Sequence, residues 1–202
     1  MLPFPAMRPL LLLLPALLPA LDVFDFADLR VGASIVGKRN DLTVDDGTTS
    51  QTAKDGWRRA TRVNADWVAG TDLLLIGVAY GLGVSVDKRT SDNLDYQSTI
   101  GRVQVGPYVD FTIFQLELLP FAGVGSARIR QEASGGDHDT ATSLEYGANL
   151  NLVAAISHLA VGATVGYLKT DSTATLDQGG TATDYEIRGG DYTAGVFVGY
   201  RF

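Results

Sequence analysis

Seven ionisable residues recur on the polar side of alternating segments: Arg58, Arg62, Asp66, Arg102, Asp110, Glu145 and Arg201. Charges gathered on one surface of a narrow enclosure must be paired or hydrated, because an isolated buried charge costs several kcal/mol. Their mixed signs predict an internal salt-bridge network. The other chemistry open to the set is a gated path for a small solute, which requires a continuous file of waters through the same residues.

Other reactive groups are sparse. The chain holds two histidines, His138 and His158, and neither sits in an alternating segment beside a serine and an acid on one face. A nucleophile, base and orienting acid must lie within mutual hydrogen-bond reach, so no catalytic site is expected. Asp137-His138-Asp139 and Asp45-Asp46-Gly47 carry metal-ligand types. Neither has the spacing of a calcium loop, and both read as solvated loop tips, so no metal or cofactor is expected. Gly81-Leu82-Gly83 is followed by no helix pattern and reads as small packing rather than a nucleotide fingerprint. Without cysteine the chain uses neither disulfides nor thiolate sites, and a net charge of −7 with a pI near 4.7 argues against nucleic acid as a partner.

The elements that must position the charged set are strands. From Leu74 to Val86, Leu74, Ile76, Val78, Tyr80, Leu82, Val84 and Val86 share one face, while Leu75, Gly77, Ala79, Gly81, Gly83 and Ser85 share the other. A helix there would carry three interior glycines at about 0.8–1 kcal/mol each, so the strand is preferred. Similar alternation predicts strands over Ala27–Lys38, Trp57–Ala69, Ile100–Ile113, Leu116–Arg130, Ser143–Ile156, Leu159–Thr170 and Asp191–Phe202. Pro107 predicts a kink or bulge. In the fifth strand the run Leu118-Leu119-Pro120-Phe121 leaves the register undetermined.

Eight segments of this length each suffice to cross a bilayer, which takes about 9–11 residues per strand. Strands of a soluble sandwich are typically about half as long. The connections alternate. Short links are Gly70-Thr71-Asp72, Thr112 to Gln115 and Ser157-His158; long polar links are Arg39 to Gly56, Lys88 to Thr99, Gln131 to Thr142 and Asp171 to Gly190. This predicts an all-β, eight-stranded antiparallel up-and-down transmembrane β-barrel with mobile outer loops and both ends in the periplasm. Trp67, Phe111, Tyr200 and Phe202 then form one aromatic girdle, and Trp57, Tyr146, Tyr167 and Tyr192 the other. A soluble ligand-binding barrel would instead turn the apolar face inward, against the small residues found there.

Residues 1–20 carry Arg8 and the apolar run Leu10 to Leu14, with Ala16, Leu17 and Leu18, ahead of the first acid at Asp22. The run is too short and too proline-interrupted for a spanning helix and reads as a secretory signal cleaved near Ala20 or Leu21. Residues 21–202 form the barrel domain.

The closing segment, Val196-Phe197-Val198-Gly199-Tyr200-Arg201-Phe202, resembles the terminal strand of the small bacterial outer-membrane barrels, the group of the OmpA membrane domain and the OmpW-like and OmpX-like proteins. The resemblance covers about residues 27–202 as a pattern and assigns no subfamily. It implies residence in the bacterial outer membrane among its lipids, and recognition of Tyr200 and Phe202 by the outer-membrane assembly machinery. An interior just wide enough for side chains argues against a general diffusion pore. The reading that leads is a structural or surface-interaction barrel with an extracellular partner for its loops; the alternatives are a narrow channel and a lipid-modifying enzyme.

Overall fold

A computed structural model describes residues 24–37, 41–45, 50–53, 59–73, 76–90, 94–111, 113–131, 138–178 and 181–202. The expected signal segment, Trp57 and Arg58 lie outside them. The described strands are β1 (Phe26–Val36), β2 (Asp41–Asp45), β3 (Ser50–Ala53), β4 (Arg59–Leu73), β5 (Ile76–Thr90), β6 (Leu94–Asp110), β7 (Gln115–Gln131), β8 (His138–Ile156), β9 (Leu159–Gln178) and β10 (Thr181–Arg201).

Eight of them, β1 and β4 to β10, pair antiparallel in sequence order, and β1 closes the ring on β10 from Asp28↔Arg201 to Val36↔Thr193. Closure removes both sheet edges from the ring and satisfies the backbone within it. The alternation read from sequence holds. Val103 and Val105 are 58% and 57% exposed while Arg102 and Gln104, which alternate with them, are each 5% exposed, the inverse of a soluble fold. Leu116, Leu118 and Val124 on β7, Leu150 and Leu152 on β8, and Val196 and Val198 on β10 continue this apolar exterior around the ring.

Several expectations are corrected. The segments Lys88–Thr99 and Asp171–Gly190 are paired strand for most of their length, not loops: β5 meets β6 as far as Thr90↔Asp95, and β9 meets β10 as far as Gln178↔Thr181. Period-2 alternation continues beyond the apolar exterior, with Asp87, Arg89, Tyr96, Ser98, Thr170, Ser172 and Ile187 turned inward and buried. β10 holds 21 residues, a contour of about 70 Å, against an apolar band of about 25 Å, so its far half stands clear of that band. Within the first long link, β2 and β3 form a hairpin, and β2 pairs with β10 from Asp184↔Asp45 to Arg188↔Asp41. Gly70, Thr71 and Asp72 belong to β4, which continues to Leu73.

Pro107 produces neither bulge nor register shift. Pairing with β7 runs to Gln104↔Phe121 and resumes at Tyr108↔Glu117 in the same register; Pro120, which also lacks an N–H, stands in the gap. β7 itself resolves cleanly, with Glu117, Leu119 and Phe121 inward and Leu116, Leu118 and Pro120 outward.

Candidate functional site: the ion-paired lumen

The lumen is built from the inward residues of each strand, layered outward from the short-turn end. First comes an apolar cluster of Phe26, Val68, Ala79, Tyr108 and Leu119, with the Phe26 and Tyr108 rings edge to face at 5.1 Å. Gly70 and Gly77 make room for it: a Cβ at either position would collide with the Tyr108 ring, and at Gly70 with Phe26 as well. The Tyr108 hydroxyl donates to Asp72 Oδ1 at 2.6 Å.

Above this layer Arg30 donates to both carboxylate oxygens of Glu117, at 2.6 and 2.7 Å, and to Asp28 at 2.7 Å. Arg201 forks onto the same Asp28 at 2.7 and 2.9 Å and reaches Gln115 at 3.0 Å. Asn151 completes the Glu117 carboxylate at 3.0 Å. The next layer joins Arg102 to Asp66 at 2.7 and 2.8 Å. Gly83 lies under this pair, and a Cβ there would strike Asp66 Oδ1.

The Phe121 ring lies between two guanidiniums, 5.4 Å from Arg102 and 5.9 Å from Arg62. This placement gives each cation a π face in a low-dielectric setting. Arg62 donates to both oxygens of Glu145 at 2.8 and 3.1 Å and to Ser85 at 2.8 Å, with Asp87 3.5 Å away. Farthest out, Arg89 bonds Asp191 and Thr170 at 3.2 and 3.3 Å beneath the Tyr96 ring.

Two of these pairs cross the whole lumen. In the ring order, β1 of Arg30 and β7 of Glu117 lie four strands apart in either direction, and so do β4 of Arg62 and β8 of Glu145. An interior of eight strands is narrow enough for one arginine and one carboxylate to bridge it. The space left between these layers is small: a cavity of about 30 Å³ is lined by Arg30, Asp66, Arg102, Gln104, Asn151 and Phe197, enough for about two waters.

Of the seven residues marked by sequence, Arg62, Asp66, Arg102, Glu145 and Arg201 are brought into the network. Asp110 is not; it ends β6 in an open cleft with Arg201 at the short-turn end and is exposed there. Arg58 lies outside the described residues. Asp28, Arg30, Asp87, Arg89, Glu117 and Asp191 complete the network and were not singled out from sequence. His158 is used structurally: Nδ1 lies 2.9 Å from the Arg201 carbonyl, and its ring stacks on Tyr200 at 5.4 Å. Among the described residues no group of three metal-ligating side chains occurs. Asp46, Gly47 and Asp137 lie outside the described residues.

On the outer surface, Phe24, Trp67 and Tyr80 form one edge-to-face cluster near the short turns, as do Tyr200 and Phe202. Tyr167 and Tyr192 pair at 5.4 Å toward the other end. An apolar exterior bounded by aromatic rings, around an ion-paired interior, defines an eight-stranded transmembrane β-barrel, the class of the bacterial outer membrane. No family profile matches the chain, and no curated protein matches it in sequence. Solved structures similar to it include the attachment invasion locus protein Ail of Yersinia pestis (17% identity, 88% of this chain and 99% of that one, TM-score 0.40). Another is OprG of Pseudomonas aeruginosa (14% identity, 88% and 95%, TM-score 0.48), and a third is Neisserial surface protein A (16% identity, 85% and 96%, TM-score 0.39). The class assignment rests on the closed ring and its inverted polarity.

Proposed function

We propose that the protein is a structural and surface-interaction barrel of the bacterial outer membrane, a plugged scaffold that holds its long hairpins outside the cell for an extracellular partner. The single observation that supports this reading most directly is the pair of struts, Arg30 to Glu117 and Arg62 to Glu145, crossing the lumen with both partners buried. Opening a path means separating bidentate pairs in a low-dielectric interior, which costs several kcal/mol for each strut. The chain's outer half supplies display area: β9 and β10 extend well past the apolar band, and β2 with β3 widens their sheet. Insertion by the outer-membrane assembly machinery through Tyr200 and Phe202 belongs to the same proposal.

The test is conductance of the purified barrel in planar bilayers, paired with binding to intact host or neighbouring cells. The expected result is no sustained current together with cell binding that is lost when β2 and β3 are deleted. A steady, solute-selective current in the wild-type protein would overturn the plugged scaffold and establish the narrow channel.

A further inference from the structure

We propose that an outward basic patch on β5 and β7, formed by Lys88, Arg128 and Arg130, holds the phosphate groups of a phosphorylated glycolipid in the leaflet around the outer half of the barrel. The inference rests on the outer-membrane placement proposed above. Its first support is position. On β5 the last apolar outward residue is Val86, and Lys88 is the next outward position; on β7 Val124 is followed outward by Ser126, Arg128 and Arg130. The cations therefore begin where the apolar exterior ends, at the depth of lipid headgroups, with aliphatic stems that can lie along the barrel wall.

Register supplies the second support. Lys88 is paired with Gln97, Gln97 with Arg128, and Arg128 with Thr140, so these four form one outward row across four strands. Directly paired residues point to the same face, which puts Lys88 and Arg128 two strand spacings apart, about 9–10 Å at the backbone. Between this row and the apolar exterior runs a second one, Thr99, Ser126 and Thr142, which adds three hydroxyl groups. Arginine forks, an ammonium and hydroxyls in one plane match phosphate oxygens better than they match a zwitterionic headgroup.

The third support is that these charges are unspent. Among the described residues Lys88, Arg128 and Arg130 form no ion pair. On the opposite rim Arg188 is held by Asp171 at 3.4 Å and Glu186 at 2.7 Å, and Lys169 lies over the Tyr146 ring at 5.9 Å. Among the described residues, the acid paired beside the patch is Asp95, opposite Arg130. Among the described residues the cations of this patch thus form no ion pair, whereas Arg188 on the opposite side is held by two acids.

The experiment uses the full barrel in phosphatidylcholine nanodiscs doped with bisphosphorylated lipid A or with its dephosphorylated form, reading retained glycolipid by native mass spectrometry. Wild-type protein should retain the phosphorylated form preferentially. Lys88→Gln/Arg128→Gln should weaken retention by roughly thirtyfold, about fivefold per cation, while Lys169→Gln/Arg188→Gln stays within about twofold. Equal retention of the two lipid forms by the wild type would overturn the proposal without recourse to any variant, as would equal loss in both double variants. Displacement by inorganic phosphate at millimolar concentration would mark a soluble-anion site and overturn the lipid assignment. Heat-modifiable migration is recorded first: a chain that shows none fails the membrane placement itself, and this inference falls with it.

Discussion

Arg30 and Glu117 meet across the full width of the lumen through hydrogen bonds of 2.6 and 2.7 Å, from strands diametrically opposite in the ring. With side chains 4% and 0% exposed, the pair is costly to break and cheap to replace. Glu117→Ala should destabilise the barrel by about 3 kcal/mol, the low end of the range for a broken buried pair, because Asp28 remains beside Arg30. Arg30→Met/Glu117→Leu should recover most of that loss. Urea unfolding in lipid vesicles reads both; a double variant no better than the single would show that the strut is worth more than its burial costs.

Gly77 is the floor on which Tyr108 rests. Gly77→Ala would push a methyl group into a ring already held by Phe26 and by its hydrogen bond to Asp72, at a cost of about 1–3 kcal/mol. In a Tyr108→Leu background the same substitution should cost little. The coupling energy from the four-variant cycle is the measurement, and additivity would refute the contact as the cause.

The turn between β8 and β9 holds Ser157 at a φ of 55°. The left-handed region costs a residue with a Cβ about 1–2 kcal/mol, and glycine returns about half of that gain as unfolded-chain entropy. Ser157→Gly should therefore stabilise the barrel by about 0.5–1 kcal/mol. An unchanged or lowered urea midpoint would mean that the serine hydroxyl offsets the strain.

The alternation of Leu74 to Val86 and of the last strand was legible because one face is large and apolar and the other small, which fixes inside and outside without any partner strand. The fifth strand was not, since Leu119 and Phe121 are as apolar as the lipid-facing Leu118; only pairing with β8, as in Phe121↔Gly147, sets them inward. That one ambiguity hid Glu117, and with it the partner of Arg30. Asp87 and Arg89 were missed for a different reason: the strand persists where its outward residues turn polar, and a period-2 reading stopped at the end of the greasy face. The continuing alternation Ser85, Asp87, Arg89 was the available signal.

The assembly role proposed for the last strand separates from its role in the finished barrel. The Phe202 ring is 48% exposed and packs on Tyr200 at 5.1 Å, while the backbone of Phe202 donates to the Ala27 carbonyl whatever the side chain. Removing the ring should therefore cost the folded barrel only about 1 kcal/mol, the scale of an ordinary peripheral substitution. If the ring is read by the assembly machinery, Phe202→Ala should refold in vesicles almost as wild type does yet lose most of its delivery to the outer-membrane fraction in cells. Comparing refolding yield with heat-modifiable protein in that fraction makes the distinction. A variant that loses both in proportion would assign Phe202 to the aromatic girdle alone, and one that loses neither would leave Tyr200 as the residue to substitute next.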